Sequence, residues 1–235
     1  MNVAVIIATR GRPALFMRAA LSALTTAKGS VHVYVVIDQD EPMAEQYLVA
    51  AMEDPRITVL RSPSSGSSNK AFDWGWRQAK SDIIVLCGDD NIFRTDGWDE
   101  KAAAYFESDP LLMLSLNDGR RRMKLETICC TRPWAETVGF ILDTRFEHFC
   151  ADELVEKIAK RAGHMHYAMN IVLEHMHPKY GKGEWDETYL VKRTGGGNER
   201  DRARLAAMEV SGEIETAAER IRRAAMALKG EAEAT

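Results

Sequence analysis

Residues 81–98 read SDIIVLCGDDNIFRTDGW. Within them Ile83, Ile84, Val85, Leu86 and Cys87 form an unbroken apolar run, rich in β-branched side chains and too short for a free-standing helix. Such a run fits a strand buried on both faces of a mostly parallel sheet. It ends in Gly88, Asp89, Asp90 and Asn91. Two adjacent carboxylates at the mouth of a buried strand repel each other and lose hydration. A divalent cation offsets that cost, and hard oxygen ligands suit Mg²⁺ or Mn²⁺. Ligands of open α/β sheets bind outside the carboxyl ends of the strands, where these acids fall. Gly, Asp and Asn are also ordinary turn formers, so this segment by itself admits a metal site or a simple turn.

Upstream, Val3 to Ala8 (VAVIIA) gives a second buried-strand pattern. The polar loop Thr9, Arg10, Gly11, Arg12 follows, with Pro13 suited to the first turn of a helix. Leu15, Phe16, Ala19, Leu21 and Leu24 then recur at helical spacing. The pattern predicts a strand over Val31–Ile37 ending in Asp38 and Asp40, a helix over Met43–Met52 and a short strand over Ile57–Leu60. A helix over Asn69–Lys80 carries Phe72, Trp76 and Ala79 on one side. Strand and helix alternate regularly, the signature of βαβ units in a doubly wound, mostly parallel sheet flanked by helices. The strand ends carry Thr9 and Arg10, Asp38 and Asp40, Ser65 and Gly66, and Asp89 and Asp90. In such a sheet these residues line one edge and define a single crevice.

Downstream, a helix is expected over Asp99–Ser108 and strands over Leu111–Leu116 and Thr137–Leu142. Asn117–Lys124 is basic, with Arg120, Arg121, Arg122 and Lys124, and reads either as a solvated loop or as one that contacts phosphate. A helix over Asp152–Ala162 ends at Gly163. A strand over Ala168–Leu173 delivers His175 and His177, which at i and i+2 point to the same side. Tyr180–Trp185 and Thr194–Asn198 are Gly-rich, and Glu199–Lys229 has helical periodicity. The expected organisation is a sheet domain over 1–180 and a Gly-rich linker with a C-terminal helical extension over 181–235, which could pack on the body or join copies into a homo-oligomer.

The chain has 235 residues, 46% of them hydrophobic, enough to bury a full core. Net charge is −4 and the pI about 5.9, so no global basic field advertises nucleic acid. Cys87, Cys129, Cys130 and Cys150 lack CxxC spacing, which favours a reduced, cytoplasmic setting over a disulfide framework. No run approaches the roughly 18 apolar residues of a membrane helix, so a soluble protein is expected.

The ordered set VAVIIATRGRP (3–13), VVID (35–38) and SSGSSNKAFDWGWRQAKSDIIVLCGDDNIF (64–93), followed by Phe149-x-x-Asp152-Glu153-Leu154 and a strand running into His175-Met176-His177, resembles the GT-A glycosyltransferases, and within them family 2. The likeness runs from Asn2 to Pro178. It implies a GT-A fold and a nucleotide-sugar donor, a UDP-sugar in the first instance, with Mn²⁺ or Mg²⁺ bridging the diphosphate. Gly88 stands where the usual Asp-x-Asp has its first acid, so the resemblance makes Asp90 the principal metal ligand and Asp89 a nucleotide-sugar contact. His177, or His175, would complete the metal shell. Ala8, Thr9 and Asp38 would meet base and ribose, Arg10 and Arg12 the diphosphate. Ser65 and Gly66 would allow close backbone approach, and Asn69 with Lys70 would reach sugar or phosphate from a helix N-terminus.

By the same resemblance Asp152, with Glu153 in reserve, would be the base of an inverting transfer that deprotonates the acceptor hydroxyl. The competing role for Asp152 is a helix cap, and the base is the favoured one. Trp74, Trp76 and Trp98 read as packing residues, Trp134 and Trp185 as candidates for acceptor contact, and His164 and His166 as structural. Two other readings compete. A nucleotidyltransferase would want a G-x-G-T-R loop that ATRGRP lacks, and a non-catalytic nucleotide-sugar or DNA-binding module has little need for both Asp90 and Asp152. The basic loop and the Arg-rich tail leave a polyanionic acceptor such as hydroxymethylated DNA open.

Overall fold

The computed structural model describes residues 1–120, 123–186, 189 and 197–233, with side chains as far as 228. Its first half follows the expected alternation. Strands β1 (Val3–Thr9), β2 (Val31–Ile37), β3 (Ile57–Arg61) and β4 (Ile83–Gly88) are parallel in the order β3-β2-β1-β4. Helices α1 (Pro13–Thr26), α2 (Ala44–Ala51) and α3 (Ser68–Gln78) make the crossovers. All four carboxyl ends therefore fall on one edge of the sheet.

Alternation along each strand builds two cores, one per face. Val3, Val5 and Ile7 of β1 meet Phe16, Ala20 and Leu24 of α1 on one side, while Ala4 and Ile6 face Ala71 and Trp76 of α3 on the other. Each such fully buried large side chain contributes about 1.5–3 kcal/mol. Gly75 lets α3 lie against the sheet: a Cβ there would stand 2.5 Å from Ile6 Cγ2 and 2.7 Å from Val36 Cγ2.

The second half is mixed. It comprises β5 (Asn91–Phe93), α4 (Trp98–Ser108), β6 (Met113–Asn117), β7 (Ile128–Thr131), α5 (Arg132–Val138), α6 (Ala151–Ala162) and β8 (Met165–His175). The sheet continues β4-β7-β6-β8-β5, with β7 antiparallel to both neighbours and β5 antiparallel to β8. β6 and β8 are parallel. Helices α7 (Gly197–Ser211) and α8 (Glu213–Glu233) follow, and Leu205, Met208, Ile214, Ala218 and Ile221 join the core formed with α5 and α6.

The strand expected over Thr137–Leu142 is instead the end of α5 and the turn after it. Thr131 caps that helix by accepting from Trp134 N, Pro133 occupies its first turn, and Gly139 closes it in the left-handed region at φ 95°. The short β5 and β7 carry too few residues to declare a period. Trp134, expected in a loop, lies on α5 and is fully buried, so it is a packing residue rather than an acceptor contact. Among the described residues the four cysteines are unpaired, and no helix is long and apolar enough to cross a membrane.

Candidate active site

At the carboxyl edge the strand ends are tied together by side chains. Thr9 closes β1 and Asp89 follows the adjacent β4; Thr9 Oγ1 donates to Asp89 Oδ2 at 2.7 Å. Ala8, one residue back, pairs in register with Val36 and Gly88 and brings its backbone to the same rim. Arg12 Nη1 donates to Asp89 Oδ1 at 3.0 Å, and Tyr47 of α2 accepts from Arg12 N at 2.7 Å while lying 3.1 Å from Thr9 Oγ1. Burial pushes the Asp89 carboxyl up, aided by the charge of Asp90 and opposed by Arg12 and Thr9.

Arg10 sits further out and bridges Asp38 (2.9 Å) and Asp40 (2.7 Å). Asp38 Oδ2 also accepts from Gly66 N at 2.9 Å, and Gly66 has φ +74°, a conformation glycine adopts without strain. Hydrogen bonds from Arg10 and then Ser65 hold the Asp40 carboxyl down to about 2. Thr9, Arg10, Arg12, Asp38, Ser65, Gly66 and Asp89 thus form one connected rim. Lys70 is exposed at the start of α3, where its amide meets the cap Ser67. Asn69 is buried, and its amide donates to Phe146 O at 3.1 Å, which ties it to that loop.

Asp90 is buried as well, and its Oδ2 accepts from His175 Nε2 at 3.0 Å and from Tyr189 OH at 2.6 Å. Burial alone would raise Asp90, but the bonds from His175 and Tyr189 and the charge of Arg12 outweigh it and hold the carboxyl below the usual range. His177 lies with its ring centroid 5.4 Å from that of His175 and 4.5 Å from that of Tyr189. Burial and the neighbouring His175 lower its pKa, which favours the neutral imidazole that a metal needs. The Asp90 carboxylate suits Mn²⁺ or Mg²⁺, and the two imidazoles suit transition-metal divalent cations. In this arrangement the Asp90 oxygen is taken by hydrogen-bond donors, and among the described residues no three His, Cys, Asp or Glu side chains converge as a metal cluster. The residue types fit a divalent cation, which would take the places of the His175 and Tyr189 donors on Asp90.

Asp152 lies in the first turn of α6. Burial, the largest influence, raises its carboxyl despite Lys124 and its own helix N–H groups, and Glu153 adds to the rise. Glu153 itself faces Lys157 at 3.9 Å on the surface. The residue before the helix, Cys150, is the one non-glycine among the described residues with positive φ, at 61°. Strain of this kind clusters at functional sites.

Sequence reasoning missed Tyr47, Asp186 and Tyr189. Asp186 grips Arg12 through Nε (2.7 Å) and Nη2 (2.5 Å), and the Tyr189 ring lies 4.1 Å under the same guanidinium. Neither belongs to a periodic segment, so nothing in the sequence marks them. In the basic loop, Arg120 pairs with Asp118 and Glu126 and stacks on Tyr180, while Arg121 and Arg122 lie outside the described residues. Thr194 to Gly196 of the second Gly-rich stretch also lie outside them, and Asn198 is in α7. Trp185 is exposed, with its ring edge-on to His177.

Among solved structures, the mannosyltransferase PcManGT from Pyrobaculum calidifontis, in complex with GDP-Man and Mn²⁺, superposes with a TM-score of 0.66 at 15% identity, over 100% of this chain and 75% of its own. S. aureus TarS 1–349 in complex with UDP superposes with a TM-score of 0.60 at 13% identity, over 74% of this chain. The match spans 59% of that TarS structure. At such identities the likeness concerns the fold, which is that of the GT-A glycosyltransferases. No curated protein matches the chain in sequence. The model of glycosyl transferase family 2 matches residues 4–125, just over half of the chain and the part that carries Thr9, Asp38, Asp89 and Asp90. This chain belongs to glycosyl transferase family 2.

Proposed function

We propose that the protein transfers a sugar from a nucleotide-sugar donor to an acceptor hydroxyl. The observation that carries this reading is the hydrogen-bonded rim in which Thr9, Arg12, Asp89, Asp90 and His175 meet at the carboxyl edge of the parallel strands. Asp38, with Gly66 and Ala8, is suited to the base and ribose, and the family resemblance favours uridine. Arg10, Arg12 and Lys70 supply positive charge for the diphosphate. Asp90, His177 and His175 would hold Mn²⁺ or Mg²⁺, with Asp89 beside them. A cation there supplies the charge that stabilises a diphosphate leaving group.

Asp152 is the base in this reading, supported by its half-buried place in the first turn of α6 and its raised pKa. It takes the proton of the acceptor hydroxyl, the oxygen bonds to the anomeric carbon, and the bond to the diphosphate breaks with its electron pair leaving on the phosphate oxygen. Attack from the face opposite the leaving group inverts the anomeric configuration. Four unpaired thiols go with a reducing compartment such as the cytoplasm.

The test is a thermal-shift panel of UDP- and GDP-sugars with and without Mn²⁺, because a ligand that binds the native state alone raises the midpoint. A donor that raises it only with Mn²⁺ supports the reading. A flat response across the panel sinks it.

A further inference from the structure

Asp201 lies in the first turns of α7, beyond the part of the chain matched by the family model, and is 1% exposed. Its carboxylate accepts three consecutive backbone N–H groups: Glu147 N at 2.9 Å, His148 N at 3.0 Å and Phe149 N at 2.8 Å. Three successive amides aimed at one anion form a closed nest. Without Asp201 these part-buried donors would lose the acceptor that holds all three together. The same turn of α7 is fastened at the surface by Arg200, which grips Glu147 at 2.8 and 2.7 Å.

The nested amides lead directly into Cys150, whose left-handed backbone turns the chain into α6 and so aims Asp152. From the opposite side, α3 holds the same loop through Asn69 to Phe146 O and Ser68 to His148 Nδ1 (3.1 Å each). A loop tied to two helices, with a left-handed residue at its exit, has few geometries open to it. We propose that Asp201 is a positioning residue for Asp152, fixing from the C-terminal helix the loop that sets the base's depth and direction. The inference rests on the reading of Asp152 as the base.

The experiment is a carboxyl ¹³C titration of Asp152 in the intact protein, assigned with Asp152→Asn, in wild type and in Asp201→Asn. It is paired with hydrolysis of UDP-glucose and GDP-mannose by water in the presence of Mn²⁺. Lys124 and Glu153, whose charges act on Asp152, are both unchanged in the variant. Loosening the nest admits water, so the Asp152 pKa is expected to fall toward the ordinary aspartate value. Hydrolysis is expected to fall about 10- to 100-fold, as small misplacements of a reacting group do. Arg200→Ala, a surface change, guards against a variant that does not fold and is expected to move both readouts the same way but less. A lowered midpoint with the Asp152 titration unchanged would make Asp201 a structural clamp only and overturn the proposal. Full hydrolysis by Asp152→Asn would instead remove the base reading, whatever Asp201 does to the titration.

Discussion

The guanidinium of Arg12 is gripped by the carboxylate of Asp186, from Nε at 2.7 Å and from Nη2 at 2.5 Å. A planar two-oxygen anion on a guanidinium fork is the arrangement a phosphate would also adopt. If Arg12 serves the diphosphate, Asp186 competes with it, and each binding event must first release that pair. Replacing Asp186 with Asn weakens the competitor. UDP or GDP affinity with Mn²⁺ is expected to rise about 3- to 10-fold, by the fraction of competent sites gained. Calorimetric titration checks this, and weaker binding in the variant would make Asp186 a support for Arg12 instead.

Asp90→Asn keeps the shape of the side chain and its contact with β8 but removes the charge. The midpoint rise given by nucleotide-sugar with Mn²⁺ should vanish in this variant. Turnover should drop by about 100-fold or more, as loss of a charge-stabilising group in a dry site does. Unchanged Mn²⁺ dependence would move the cation away from Asp90.

The parallel half of the sheet was legible because Val3–Ala8, Val31–Ile37 and Ile83–Cys87 are unbroken apolar runs closed by polar residues, and a parallel arrangement leaves those polar ends only one edge to occupy. The rim from Thr9 to Asp90 follows from that edge. The region after Asp109 was harder because its strands are short and its order is not sequential: β7 inserts between β4 and β6. Thr137–Leu142 has the β-branched and aromatic content of a strand, but capping by Thr131 and Pro133 decides for helix. Asp186, Tyr189 and Asp201 were invisible for a different reason. They act through contacts spanning dozens to more than 170 residues, and no local pattern encodes a partner that far away.

Gly75 is a test of how closely α3 must lie on the sheet. Alanine there puts a methyl 2.5 Å from Ile6 Cγ2 and 2.7 Å from Val36 Cγ2, both held in the core. Overpacking of this kind costs about 1–3 kcal/mol, more than the ~1 kcal/mol alanine gains over glycine in a helix. Denaturant unfolding should show a lower midpoint with an unchanged slope. A neutral or stabilising result would mean that α3 shifts freely.

Asp152 separates a catalytic from a capping role by the sign of one measurement. Its carboxyl is raised in the folded state, chiefly by burial. The folded protein therefore binds that proton more tightly than the unfolded chain, and the group's contribution is most favourable at low pH and is lost as pH rises through the raised value. At pH 7 the ionised group costs stability, so Asp152→Asn should raise the melting temperature, by an amount equivalent to about 0.5–2 kcal/mol. The advantage should shrink on acidification toward the ordinary aspartate pKa. Turnover should fall steeply in the same variant, and the wild-type rate should decline below the raised pKa as the base takes up its proton. A residue kept only to cap α6 behaves oppositely: its removal lowers the melting temperature, by the roughly 0.3–1 kcal/mol that an acid contributes at a helix N-terminus, and leaves turnover intact. Gain of stability with loss of activity is the outcome expected of a half-buried carboxylate retained for chemistry.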